Sequence, residues 1–266
     1  MIIIETYIIV SLLIFLFTTF LIIGGVGAAF IDTPLLIYFG FDIVMVTALG
    51  LLLNIFSTGT ASIRHYKQKA IQYDVAYPII LTSLITAPLG AISVNLISKN
   101  DLKFLFAIAL LVIGLNMLYN LVKTRKTFSK DNQDDLGILT SISLKQRLVI
   151  SILLGMLVGF ITGLLGIGGG TIILPFLLYF GLETKKAAGT TSFIVVFSSL
   201  VGFISKITLT HFVIDYLLLF LSVFVTILGA ILGSYLMHFK LNKNQIKLII
   251  VIFLEFVAIK MLSDFI

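Results

Sequence analysis

A run of glycines interrupts an apolar stretch in the second half of the sequence and offers backbone donors to an anion. The stretch GLLGIGGGTIILPFLLYFG covers residues 163–181. A helix that begins after such a run leaves its first N–H groups unpaired, and the helix dipole adds positive potential there. In lipid, such a break is tolerated only where protein or a water-filled cavity satisfies the backbone. We interpret the stretch as one wall of an anion site, with close packing through small residues as the alternative. Its candidate binding residues are Gly168, Gly169, Gly170, Thr171 and Pro175.

A related break occurs 141 residues earlier in the chain. When Pro34 is aligned with Pro175, the segment GVGAAFIDTPLLIYFG (25–40) matches GIGGGTIILPFLLYFG (166–181) at eight of 16 positions. Two related breaks predict two opposing walls of one site. The residues of the first copy that we assign to this site are Gly25, Gly27, Thr33 and Pro34.

The segment after each break carries a stripe of small and polar residues at helical spacing. Hydroxyl and amide groups in these stripes could replace the hydration shell of an anion. Asn54 is the strongest candidate, because a buried amide needs hydrogen-bond partners. The alternative is that these groups bond only between helices. The predicted binding residues are Asn54 and Ser57 in the first half, and Thr190, Thr191, Ser192 and Ser198 in the second.

Two acidic residues, Asp32 and Glu255, are the ones most expected to lie inside the membrane. Ionisable groups are rare there and often functional. Asp32 precedes Pro34 in the first short segment, and Glu255 lies in the middle of the last segment. We predict both as sites for a coupling proton or sodium ion, with a protonated or paired group in the helix bundle as the alternative. Arg64 and His65 end the third segment and could attract an anion, but a solvated or interfacial role is the favoured interpretation.

The composition excludes most other classes of function. Hydrophobic residues make up 59% of the 266 residues, charged residues make up 11%, and the mean hydropathy is +1.19. Soluble domains carry about 25% charged residues, so the chain is predicted to be a polytopic membrane protein. It has no cysteine and three histidines, and it lacks the common nucleotide-binding and hydrolase motifs. We therefore predict that it is not an enzyme, holds no cofactor or metal, and binds no nucleic acid.

Ten apolar segments position the candidate residues. Two repeats, 1–122 and 148–266, each have five segments, of which the second is short and interrupted by glycine and proline, and the basic segment 123–147 links the repeats. If all ten segments cross, 14 of the 18 Lys and Arg residues lie on one side and three on the other, whereas re-entrant short segments give ten and seven. The positive-inside rule favours ten crossings and a cytoplasmic linker. The predicted fold is therefore an all-α polytopic membrane protein with two inverted repeats, with eight spans as the alternative.

Inverted repeats with interrupted helices are typical of secondary transporters. The residues therefore predict a transporter of a small anion, bound near the middle of the membrane and driven by an ion gradient. An intramembrane enzyme would need a nucleophile–base pair or a metal cluster. A membrane scaffold or assembly factor would not need paired breaks and polar stripes, and it remains the alternative. The predicted partners are the lipid bilayer, a small anion and a coupling proton or sodium ion, and the oligomeric state is left open.

The second break, GLLGIGGGTIILPFLL, is followed by KKAAGTTSF (185–193), and together they resemble the TauE/SafE sulfite exporter-like family of membrane permeases. The first break and the basic RHYKQK (64–69) are similar to the first repeat of that family. The resemblance covers nearly the whole chain. It implies a multi-pass protein of a bacterial or archaeal cell membrane that carries sulfite, organosulfonates or other organic anions. The family usually has a fuller glycine run where this chain has Ala28 and Ala29, and Asp32 also departs from its pattern.

Overall fold

The computed structural model describes residues 2–24, 27–127, 144–180, 182–236 and 243–263. These residues form ten α-helices and a single 3-10 turn at Val94–Leu96, with no strand among them. The predicted site residue Gly25 and most of the linker lie outside this part of the chain. The helices are α1 Ile2–Gly24, α2 Ala29–Tyr38, α3 Ile43–Lys67, α4 Tyr73–Ser93, α5 Lys99–Thr127, α6 Leu144–Leu165, α7 Gly170–Tyr179, α8 Thr184–Leu209, α9 Tyr216–Leu236 and α10 Lys243–Ser263.

The exterior of the bundle is apolar. Ile85 on α4 is 69% exposed and Phe220 on α9 is 68% exposed, and large apolar side chains cover the outer faces of several other helices. A soluble protein rarely exposes so much contiguous apolar surface. Six helices in the described part of the chain, α1, α3, α4, α6, α8 and α9, contain segments long and apolar enough to cross a membrane. The chain is therefore an all-helical, multi-pass integral membrane protein.

The short second segments form the helices α2 and α7, each of ten residues. A ten-residue helix rises ~15 Å, about half of the hydrocarbon core. Gly166 (φ +69°) and Gly168 (φ +71°) begin the second break in the left-handed region, which only glycine adopts readily. Each short helix also contains a proline at its sixth position, Pro34 or Pro175, which removes one intrahelical hydrogen bond.

The main helix–helix contacts join a helix of one half of the chain to a helix of the other half. The most extensive contacts join α4 to α6, α3 to α8, α1 to α9, α4 to α8 and α5 to α10. Glycines at every fourth residue of α6, namely Gly155, Gly159 and Gly163, allow the close approach to α4. A Cβ on Gly155 would collide with the backbone of Ile79, and one on Gly163 would collide with the backbone of Ala87.

The equivalent helices α3 and α8 pack antiparallel at the centre of the bundle. Thr47, early in α3, accepts a hydrogen bond from Lys206, late in α8. His65, late in α3, packs against Gly189, early in α8. This pair places the two polar stripes face to face between the two breaks.

Candidate functional site

Asn54 is the residue on which both breaks converge. Its side chain is 1% exposed, and its Nδ2 donates a hydrogen bond to Oγ of Ser199 at 3.1 Å. A Cβ on Gly27 would collide with Oδ1 of Asn54, and a Cβ on Gly168 would collide with Nδ2. Gly27 and Gly168 are equivalent positions of the two repeats. The two breaks therefore contact opposite ends of a single amide, which explains why both keep glycine.

The start of α7 presents a row of buried amide donors. Gly168, Gly169 and Gly170 are buried, and their N–H groups and that of Thr171 have no hydrogen-bond acceptor among the described residues. No side chain caps this helix. Buried N–H groups are nearly always paired in folded proteins. Four unpaired donors beside Asn54, at the positive end of a helix dipole, form an arrangement suited to an anion.

The start of α2 differs from that of α7 at one amide, the N–H of Ala28. Ser57 Oγ accepts a hydrogen bond from the Ala28 N–H at 3.1 Å and is positioned to donate to the carbonyl of Asn54 at 3.3 Å. Ser198, which occupies the equivalent position on α8, donates to the carbonyl of Val195 in its own helix at 3.3 Å. Ser57 therefore stabilises a backbone break, whereas Ser198 leaves the other break uncapped.

Several buried hydroxyl groups near the breaks lack a hydrogen-bond partner among the described residues. They belong to Thr33, Thr162 and Thr191. Thr33 faces α3, where a Cβ on Gly50 would collide with its Oγ1, and the methyl group of Thr191 lies 3.7 Å from the Cβ position of Gly170. The sequence predicted Thr33 and Thr191 as site residues but missed Thr162, which lies on α6 one turn before the second break.

Other predicted residues lie away from Asn54. Thr190 accepts a hydrogen bond from the backbone N–H of Gln72 at 2.9 Å, and Ser192 donates to the carbonyl of Ala188 at 2.9 Å. Thr190 precedes Ser199 by nine residues, a distance of ~13 Å along a helix. Thr190 and Ser192 therefore bond at the far end of α8. The remaining predicted residues, Pro34, Thr171 and Pro175, lie within α2 and α7.

The two acidic residues occupy separate regions. Asp32 on α2 is fully buried, its Oδ2 accepts a hydrogen bond from Thr18 on α1 at 3.3 Å, and its Oδ1 has no partner among the described residues. Glu255 on α10 is half-buried beside Gly114 of α5. Asp32 directly precedes the site residue Thr33, whereas Glu255 belongs to the α5–α10 contact.

Lys206 corrects one expectation from the sequence. The charge count treated it as a loop residue, but it lies within α8 and is fully buried. Its ammonium group donates to Oγ1 of Thr47 at 2.9 Å and to the carbonyl of Leu164 at 3.2 Å. The helix continues for three residues past Lys206, and Thr47 of α3 and the backbone of Leu164 in α6 contact its ammonium group. The repeat offset was the available signal, because it aligns Lys206 with His65 at the end of α3.

A groove between α3, α8 and α9 holds about 320 Å³ of empty space, open solvent included. Its walls are apolar side chains apart from Asp215, which accepts a hydrogen bond from Tyr7. Such walls offer an anion no donor, so the candidate site remains the packed region around Asn54. The residues that line the groove are Met45, Ala48, Leu49, Phe203, Ile207, Phe212, Ile214, Asp215 and Leu219.

Comparison with known proteins identifies relatives in bacteria and archaea. A probable membrane transporter protein of Bacillus subtilis, YunE, is 26% identical over 201 residues, which cover 70% of this chain and 73% of that protein. A probable membrane transporter protein of Methanocaldococcus jannaschii is 30% identical over 191 residues, covering 69% of this chain and 66% of that protein. The probable membrane transporter protein MamO of Paramagnetospirillum magneticum is 23% identical over 188 residues, covering 63% and 30% respectively.

No solved structure matches this chain. The sequence profile of the family described as sulfite exporter TauE/SafE matches residues 10–261, which is nearly the whole chain. The match includes both breaks, both polar stripes and Asn54. The chain belongs to the sulfite exporter TauE/SafE family.

Proposed function

We propose that this protein is a secondary transporter that binds a small oxyanion, sulfite or an organosulfonate, at the start of α7. The observation that carries the proposal is the row of four amide groups from Gly168 to Thr171, three of them in buried residues, that have no hydrogen-bond acceptor among the described residues. Amides and hydroxyls would hold the oxygens of the anion, with Asn54 Nδ2 and Thr191 Oγ1 nearby. The family name and the names of the relatives support transport, and sulfur enters the proposal from the family name.

The donor set favours an oxyanion over a cation or a neutral solute. A cation would need a cluster of acceptors, whereas the start of α7 contributes donors. Partial charges at a helix N-terminus stabilise anions most strongly where water is excluded. An anion at this position would pair N–H groups whose burial otherwise costs ~1–3 kcal/mol each. Binding of an anion would therefore satisfy these N–H groups.

The contacts between α3 and α8 support inverted repeats and alternating access. If α2 and α7 both cross the membrane, each half has five crossings, and the equivalent helices α3 and α8 run in opposite directions. If both are re-entrant, each half has four crossings, and α3 and α8 run in the same direction. Their antiparallel contacts favour the first arrangement. Rocking of one half against the other would then expose the central site to each side in turn.

Coupling to an ion gradient is the remaining part of the proposal. The sequence has no ATP-binding motif, so the driving force would be a gradient. Each acid has one buried oxygen without a partner among the described residues. Asp32 is the stronger candidate for carrying a proton or sodium ion, because it is fully buried and adjoins Thr33. Glu255 lies in the α5–α10 contact and is the weaker candidate.

Transport in proteoliposomes tests the proposal. Purified wild-type protein should move labelled sulfite, or an organosulfonate such as sulfoacetate, under an imposed proton or sodium gradient, and protein-free liposomes should not. Movement of a different organic anion alone would contradict the sulfur part of the proposal. Movement of no anion under any gradient would overturn transport itself.

A pair of glycine variants tests where the anion binds. Gly168→Ala adds a methyl group against Nδ2 of Asn54 at φ +71°, a conformation that costs alanine roughly 1–2 kcal/mol. We expect at least a roughly tenfold loss of transport rate. Gly59→Ala is the matched control, because no atom lies within 4 Å of its Cβ position on α3. Equal rates in the two variants, both monodisperse by size-exclusion chromatography, would contradict the proposed position.

A further inference from the structure

The ammonium group of Lys206 has one more N–H donor than it has acceptors among the described residues. The hydroxyl group of Thr47 donates its hydrogen bond to the carbonyl of Val44 at 2.9 Å, so its Oγ1 accepts from Lys206. The carbonyl of Leu164 can only accept, so it too is an acceptor for Lys206. An ammonium group has three N–H donors. Two of them are therefore used within the protein, and the third has no acceptor among the described residues.

The charge of Lys206 is not balanced by a carboxylate. No Asp or Glu of the described chain lies within 4.0 Å of its ammonium group, which is fully buried. A buried charge without a counter-charge is costly in protein and in membrane. An anionic ligand would supply the missing charge.

Lys206 adjoins the second break. Its acceptor Leu164 lies two residues before Gly166, and a Cβ on Gly166 would collide with Thr47, its other acceptor. Thr47 precedes Asn54 by seven residues, a distance of ~10 Å along α3. The ammonium group therefore lies near one end of the polar interface between α3 and α8, and the unpaired amides lie near its middle.

The repeat places a second buried basic group at the opposite end of this interface. His65 occupies the position equivalent to Lys206, is 6% exposed, and its Nδ1 has no hydrogen-bond partner among the described residues. Because α3 and α8 are antiparallel, the two groups lie at opposite ends of the helix pair. A nitrogen-bearing side chain at each end of the helix pair would flank an anion path through the centre.

We infer that Lys206 binds the substrate anion at the entrance of the path on the side of the α8–α9 connection. This inference rests on the proposed function. In the empty protein, Thr47 and Leu164 hold the ammonium group, and an arriving anion takes its free donor and then replaces Thr47. The residue thus lowers the cost of bringing the anion from water to the amides of the break.

Sulfite transport by charge variants of Lys206 tests this inference. Lys206→Gln removes the charge and should raise the half-saturating sulfite concentration roughly tenfold to hundredfold, the range for hydrogen bonds to a charged group. Lys206→Arg keeps the charge and should stay within about threefold of the wild type, on the same scale. Lys99→Gln, on an exposed side chain that pairs with Asp42, is the matched control and should not change it. The shift in melting temperature of each detergent-solubilised variant should reach half of its maximum at the same sulfite concentration as transport does.

The outcomes separate this inference from the proposed function. If the wild type transports sulfite and folded Lys206→Gln has the same half-saturating concentration, the role of Lys206 is wrong and the proposed function stands. If the wild type neither transports sulfite nor is stabilised by it, both fail. Thr47→Val covers the case in which Lys206→Gln does not fold. Thr47→Val removes one acceptor of the Lys206 ammonium group and keeps its charge, so this variant should lower the half-saturating sulfite concentration. An unchanged concentration would contradict the inference.

Discussion

The helices α2 and α7 follow related sequences but begin in different ways. At the start of α2, Ala28 replaces glycine and its N–H is bonded to Ser57. At the start of α7, the four amides from Gly168 to Thr171 have no acceptor in the described part of the chain. One amide of the first break is therefore capped by a side chain of the protein, whereas the equivalent amide of the second break, that of Gly169, has no such cap. The two related sequences thus differ in how their breaks are stabilised.

Asn54 is the sharpest point of this comparison, because the equivalent residue on α8 is Val195. Asn54→Asp keeps the shape of the side chain and places a carboxylate beside the proposed anion. Like charges in contact cost several kcal/mol, so we expect roughly a hundredfold or greater loss of sulfite transport. The measurement is initial uptake into proteoliposomes. Asn95→Asp, on an exposed side chain, is the charge control, and equal rates in the two variants would refute the anion site at Asn54.

Asp32 is the second difference between the halves, since Ile173 occupies its equivalent position. Asp32→Asn should abolish the dependence of sulfite accumulation on an imposed proton or sodium gradient, because the amide can neither release a proton nor balance a cation. We expect accumulation to fall roughly tenfold, about the effect of 1.4 kcal/mol. Glu255→Gln tests the weaker candidate and should keep gradient-driven accumulation. Full gradient dependence in Asp32→Asn would remove Asp32 from the mechanism.

Ser57 and Ser198 test whether the first break is structural. Ser57→Ala leaves the buried Ala28 N–H without its acceptor and should lower the free energy of unfolding by about 1–3 kcal/mol. Ser198→Ala removes only a bond within its own helix and should change it by less than about 0.5 kcal/mol. Denaturant unfolding in detergent, followed by circular dichroism, measures both. Equal losses would mean that the two breaks are stabilised alike.

The N-caps of α3 and α8, the helices that follow the two short ones, give the smallest predicted effect on stability. Asp42 caps α3 by accepting from the N–H groups of Val44 and Met45, whereas Glu183 at the start of α8 makes no side-chain cap. Asp42→Ala should cost about 0.5–2 kcal/mol, and Glu183→Ala should cost close to nothing. Thermal unfolding of the two variants measures the difference. A larger loss in Glu183→Ala would reverse this part of the comparison.

The same cap predicts a dependence on pH. Burial acts to raise the pKa of Asp42, but Lys99 and the two backbone N–H groups outweigh it and hold the pKa below its usual value. A lowered pKa stabilises the fold fully above the unfolded value of about 4, and this contribution is lost as the pH falls through the folded pKa. The difference in stability between wild type and Asp42→Ala should therefore shrink below about pH 4. A constant difference down to pH 2 would contradict it.

Local features were readable from the sequence because they are local in origin. Apolar runs predicted the membrane class and ten helical segments, and ten helices lie in the described residues. Glycine and proline predicted the two breaks, since glycine alone adopts positive φ readily and proline cannot donate to a helix. The polar stripe predicted Asn54 because a buried amide needs partners; Nδ2 bonds to Ser199, whereas Oδ1 has no partner among the described residues.

Tertiary packing decided which of these residues meet. Packing between the two halves places Asn54 against both breaks and Lys206 against α3 and α6. The side chains of Thr190, Ser192 and Glu255 pack elsewhere. Helical periodicity reports which face of a helix is polar but not which helix will face it. That choice depends on close contacts between residues far apart in the chain, such as the glycines of α6 against the backbone of α4. The sequence alone therefore determined the membrane class and the breaks, and the packing of α3 against α8 decided how they converge on one amide.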